Sequence, residues 1–275
     1  MRFDTVIIGG GLAGMTAGIC LQKAGLCPPE HAENWDNVGL LVGANRSISS
    51  AYVALDATDD VIEACVREGC ELLITHHPLI FNGLKRVTEM DFTGRRVLAL
   101  AENGISYYAM HTNYDVDLMG ELAAERLALQ GSRPLLLTEG FVGDEEEQLG
   151  IGRVGNLAEP IPLRQLAQRV QAAFNAQGTH VFGDPGALIR CAAILPGSGK
   201  SGIEEAVECG ADVLITGDID HHSGLDAAAQ RLAVIDAGHY GLEHIFIEDV
   251  AERLKEQFPD VRIVADSPRE PFFTV

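Results

Sequence analysis

Apolar residues along this chain fall into two rhythms, short unbroken runs and stretches of helical period, and polar residues mark where each stops. Residues 50–55 read as a strand, Asp56-Ala57-Thr58 as a turn with a helix cap, 59–68 as an amphipathic helix stopped by Gly69, and 71–75 as the next strand. Within that strand Leu72-Leu73-Ile74 is continuous, as a strand buried on both faces requires. Pro78, lacking an N–H for the ladder, closes it. The segment is a βαβ unit, whose crossover is right-handed. Further on, 95–103 has a helical period and 105–109 is a strand. Residues 150–157 form a strand with glycines for close approach, Leu163–Phe174 a helix, 232–235 a strand and 240–254 a helix. Alternation of this kind predicts an α/β fold.

The pattern occurs twice. Residues 203–216 align without gaps on 62–75, and half of the positions are identical, including Gly69 with Gly210 and Leu73-Ile74-Thr75 with Leu214-Ile215-Thr216. Shared periodicity alone does not require those identities in one register, which points to an internal duplication. The expected architecture is two similar α/β domains, residues 1–130 plus 240–275 and residues 131–239, with a site in the cleft between them. The first copy ends in His76-His77 and the second in Gly217-Asp218, so the copies differ where the chemistry would lie.

At 275 residues and 47% hydrophobic, the chain can bury a sizeable core. A formal charge of −20 repels phosphate backbones and anionic lipid, which argues against nucleic acid and membrane surfaces as partners. The run 144–147 is acidic throughout and reads as a solvated loop. The six cysteines show no C-x-x-C spacing, as expected of reduced thiols in a cytoplasmic protein, and no apolar run reaches the length of a membrane span.

Two glycine motifs test other functions. Gly9, Gly11 and Gly14 have G-x-G-x-x-G spacing after a strand-like run and resemble the opening of flavin-dependent dehydrogenases, which would imply an FAD-binding redox subunit. A dinucleotide site also needs a second strand ending in an acidic residue. Pro28, Pro29 and the polar residues after them forbid that strand. The glycine segment is therefore expected to cover the first domain without binding a dinucleotide. Gly199-Lys200-Ser201 imitates the end of a phosphate-binding loop, but Ile194 stands where that loop needs its first glycine.

Candidate chemistry gathers at strand ends. His76 and His77 follow one strand; neighbouring side chains at a strand end point to opposite sides, so the pair suits two ions better than one. His111 and Asp115 follow another strand, Asp115 being either a ligand or a helix cap. His239 and Glu243, four residues apart at a helix start, share a face and can reach one cation, or else serve as a capping His and a first-turn Glu. A carboxylate shared by two cations would make water a nucleophile near neutral pH, with His111, His221 or His222 moving protons.

The block from Glu33 through Trp35-Asp36-Asn37 to Leu40, Thr75-His76-His77-Pro78, His111-Thr112-Asn113-Tyr114-Asp115, Thr216-Gly217-Asp218, and Gly238-His239 with Glu243 resemble the NIF-three-like dinuclear metal-centre family, also called GTP cyclohydrolase 1 type 2 homologues. The resemblance implies a homohexamer, two divalent cations (Zn, Mn, Fe or Mg), and His76, His77, Asp115, His239 and Glu243 as ligands, with Glu243 the bridge. It further implies a hydrolase acting on a small nucleotide-type substrate such as GTP. The alternative of another class is a metal-binding scaffold or metallochaperone without turnover.

Overall fold

The structure is a computed structural model that describes residues 26–43, 48–138 and 149–273. The glycine segment 9–14 and the acidic run 144–147 lie outside the described residues. In chain order the elements begin β1 (Gly39–Val42), β2 (Ser50–Ala54), α1 (Asp59–Arg67), β3 (Leu72–Thr75), α2 (Phe92–Glu102) and β4 (Ser106–Ala109). They continue as α3 (Gly120–Arg126), β5 (Gln130–Leu137), β6 (Gly150–Pro162), α4 (Leu163–Phe174), β7 (His180–Phe182) and β8 (Leu188–Ser198). The last are α5 (Ile203–Glu208), β9 (Val213–Gly217), α6 (His221–Ala229), β10 (Ala233–Asp236), α7 (His239–Glu243), α8 (Ile245–Gln257) and β11 (Arg262–Ala265).

These elements form two compact units. Among the described residues, the first comprises those up to Asn113 together with Phe246–Ser267, the second those of Tyr114–Ile245 and those from Pro268 on. The sequence expectation set the divisions at 130/131 and 239/240. Residues 114–129 belong with the second unit because their side chains and carbonyls are tied there. Arg153 Nε donates to Glu121 Oε2 at 2.9 Å, and Arg169 Nη2 donates to the Leu127 carbonyl at 2.6 Å.

The first unit holds a five-stranded sheet in the order β1-β4-β3-β2-β11, parallel except for β1, which runs antiparallel to β4. α1 starts where Thr58 Oγ1 accepts from Val61 N, and it buries Val61, Ile62 and Cys65 in a core with Leu73, Leu100 and Tyr107. α2 begins earlier than its apolar period suggested because Asp91 caps it, accepting from Gly94 N at 2.7 Å. The second unit holds a six-stranded sheet, β5-β6-β8-β9-β10-β7, with β8, β9 and β10 parallel and the rest antiparallel. Its core is built from Leu135, Val154, Leu195, Leu214, Leu232 and Val234.

The two aligned stretches fold alike. Gly69 and Gly210 both turn the chain with positive φ, +65° and +73°, and the residue after each donates back to the preceding helix, Cys70 N to Cys65 O and Ala211 N to Ala206 O, both at 3.0 Å. Each then enters a buried strand, β3 ending at Thr75 and β9 one residue past Thr216, and the Thr75 and Thr216 carbonyls accept from Met110 N and Ala237 N. The helix expected over 240–254 is instead two helices, α7 and α8, separated at His244.

The end of β3 is fixed by one buried hydroxyl. Tyr107 Oη lies 2.7 Å from Thr75 Oγ1, accepts from Leu79 N at 2.7 Å and donates to the His77 carbonyl at 3.0 Å. Burial pushes its pKa up to about 12 against the opposing hydrogen bonds from Thr75 and Leu79. Tyr107→Phe keeps the ring's packing but leaves the Leu79 N–H without this acceptor. The expected cost is about 1–3 kcal/mol, read as a lower urea midpoint at unchanged slope.

Candidate metal centre

In the first unit three imidazoles come together. His76 and His77 sit just past β3, His111 just past β4, and one ring nitrogen of each lies within 4.8 Å of the others. The rings of His76 and His77 are 4.9 Å apart, so they converge and do not point to opposite sides. Strand alternation no longer governs them, because β3 ends at Thr75 and the chain bends before Pro78.

Every one of these rings is held through Nδ1. His76 Nδ1 is 2.8 Å from the Met110 carbonyl, His77 Nδ1 2.8 Å from Asp56 Oδ1, and His111 Nδ1 3.0 Å from Asp36 Oδ1. A backing acceptor at Nδ1 fixes the tautomer that leaves Nε2 as the lone-pair donor, the usual support of a metal-ligating histidine. Burial alone would raise the pKa of Asp36, but hydrogen bonds from His111 and from the Thr112 hydroxyl and N–H bring it down to about 2.

The second unit presents carboxylates. α7 places His239 and Glu243 on one face as their spacing required, with His239 Nε2 2.9 Å from Glu243 Oε2 and His239 Nδ1 2.8 Å from Asp218 Oδ2. The N-cap of α7 is Gly238 with no side-chain cap bond, so neither residue is a cap. Glu243 is buried, and Gly197, at φ +83°, is where β8 passes against it. A Cβ there would run into Glu243 Oε1, so only glycine lets the backbone approach this closely. Asp115 opens a single turn of π-helix, Asp115–Met119, and not a capped α-helix; such turns recur at functional sites. Carboxylate oxygens of Asp115 and Glu243 lie within 4.8 Å of each other, so Glu243 reaches both Asp115 and His239. His221 and His222, also proposed from sequence as proton carriers, are exposed at the start of α6 and enter no such group among the described residues.

Sequence reasoning missed Asp36, Asp56 and Asp218, the carboxylates that orient His111, His77 and His239. Asp56 and Asp218 follow strand ends just as the histidines do, and that shared position was the available signal. Asp36 is joined to His111 only by the fold.

Residues 21–270 match the family model Duf34/NIF3 (NGG1p interacting factor 3), and the chain belongs to that family. Among curated relatives, a GTP cyclohydrolase 1 type 2 homolog of Clostridium acetobutylicum is 34% identical over 86% of this chain and 88% of its own length. Another with that name, from Streptomyces coelicolor, is 37% identical over 84% and 82%. Of solved structures, a Bacillus cereus protein related to NIF3 superposes with a TM-score of 0.85 at 24% identity, covering 96% of this chain and 100% of its own. Reduced HcgD from Methanocaldococcus jannaschii gives 0.74 at 28%, covering 91% and 97%.

The low pKa of Asp36 makes a signed prediction. A carboxylate whose folded pKa lies below its unfolded value stabilises the fold above the unfolded value, near 3.8, and that contribution is lost as pH falls through about 2. Asp36→Asn is expected to destabilise by roughly 2 kcal/mol at pH 7. The gap from wild type should close between pH 4 and 2 in denaturant titrations.

Proposed function

We propose that this chain is a metal-dependent hydrolase in which His76, His77, Asp115, His239 and Glu243 would hold two divalent cations, Glu243 serving both. The observation that carries the reading is the reach of the buried Glu243 carboxylate to both Asp115 and His239. Nitrogen and oxygen donors without thiolate suit Zn, Mn, Fe or Mg. Divalent cations, when bound, would supply Lewis acidity and make water a nucleophile near neutral pH.

The chain's own residues do the rest. The Met110 carbonyl, Asp56 and Asp218 hold the imidazoles of His76, His77 and His239 in one tautomer and one orientation. His111, backed by the ionised Asp36, takes a proton from the attacking water and returns it to the leaving group. The substrate is a small nucleotide-type molecule, GTP being the first to assay. Five described cysteines are free, which agrees with a cytoplasmic location, and no described helix is long and apolar enough to cross a membrane. We further propose that the protein assembles with itself as a homohexamer. Light scattering is expected to return a sixfold multiple of 29.5 kDa, and a monomer would refute it.

Elemental analysis of the purified protein is expected to find two metal ions per chain. Glu243→Gln should lose metal and chelator-sensitive turnover together, since two cations would then repel each other without the shared charge. His111→Ala should keep both ions and turn over about 100- to 10,000-fold more slowly. Metal retained in wild type with no turnover of any nucleotide would leave the protein a divalent-metal scaffold or metallochaperone.

A further inference from the structure

Beside the three imidazoles of the first unit stand two large apolar rings that no core absorbs. Trp35 is 59% exposed and Phe81 49% exposed, with ring centroids 5.8 Å apart. Both meet His111 edge-on, Trp35 at 6.1 Å and Phe81 at 6.4 Å. Exposed aromatic side chains are ordinarily mobile, but the backbone carrying these two is restrained. Asp36, next to Trp35, accepts from His111, Thr112 N and Thr112 Oγ1. Glu33 N donates to Thr112 Oγ1, and Asn37 Nδ2 donates to the Ile80 carbonyl, tying the Trp35 loop to the Phe81 loop. Apolar surface held open to water at such cost in order has a use when a ligand covers it.

We propose that Trp35 and Phe81 form an aromatic clamp that stacks on a planar heteroaromatic ring of the substrate and presents it to His111. The proposal rests on the hydrolase reading above and adds the part of the substrate that is recognised. Both rings are apolar on their faces, and among their described contacts the polar neighbour is His111, so the clamp selects a flat ring by stacking and leaves its polar edge to the imidazole. Stacking tolerates any π-face, so the clamp by itself would take purine or pyrimidine, and the remainder of the ligand would decide between them.

Trp35 is the only tryptophan in the chain, so its fluorescence reports the clamp directly. In the metal-loaded protein, guanosine, adenosine and uridine triphosphates are titrated against inorganic triphosphate. Saturable quenching by at least one nucleotide, and none by inorganic triphosphate, is the expected result. Phe81→Leu, which keeps the fluorophore, and Trp35→Leu, followed by equilibrium dialysis, should each weaken that nucleotide about 5- to 100-fold while keeping wild-type metal content. Equal quenching by inorganic triphosphate, no quenching by any nucleotide, or wild-type affinity in both variants overturns the clamp. So does a Trp35 shielded from acrylamide in the assembled protein, which would make the patch an interface between copies. Metal content separates the two claims: a protein that holds two ions but binds no base refutes the clamp alone, and one that holds no metal refutes the hydrolase reading whatever Trp35 does.

Discussion

A strand buried on both faces must stop inside the protein while its last backbone groups stay hydrogen-bonded, and in the first unit the Tyr107 hydroxyl meets that requirement. It gathers Thr75 Oγ1, Leu79 N and the His77 carbonyl around the end of β3, while His77 N donates to the Leu55 carbonyl. The chain is thereby bent at His76 and His77, and the two imidazoles leave the strand on converging paths. In the second unit the same need arises at the end of β10, where the Asp236 carboxylate accepts from Ile219 N and Gly238 N and so sets the start of α7. Site geometry in both units thus follows from how buried strands are terminated.

Orientation comes from carboxylates. Among the described acidic residues of this strongly anionic chain, Asp36, Asp56 and Asp218 back imidazoles. Each fixes Nδ1 of its histidine and so selects the nitrogen that faces the site. His76 differs only in using a carbonyl, that of Met110, which suits a ring that is fully buried, because no second charge has to be desolvated with it.

The Asp36 carboxylate shows how one residue couples fold and chemistry. It is held ionised by His111 and Thr112, and the same bonds anchor the loop that carries Trp35. Orientation of an imidazole and restraint of an exposed aromatic ring are therefore one feature of the fold.

Much of this was legible from sequence because it is local. The β2-α1-β3 unit, the helix Leu163–Phe174, the glycine stops and the i, i+4 geometry of His239 and Glu243 depend on residues a few positions apart, and periodicity and capping encode those. The likeness of residues 203–216 to 62–75 was equally visible, and the two stretches do take up the same helix, stop and strand. What only the tertiary structure decided were pairings across long stretches of chain. Asp36 finds His111 through the antiparallel placement of β1 on β4, Asp56 finds His77 across β2 and β3, and residues 114–129 join the second unit through Arg153 and Arg169. A strand's pattern says which face is buried but not which strand lies beside it, so the identity of a partner carboxylate is settled only when the sheet is assembled.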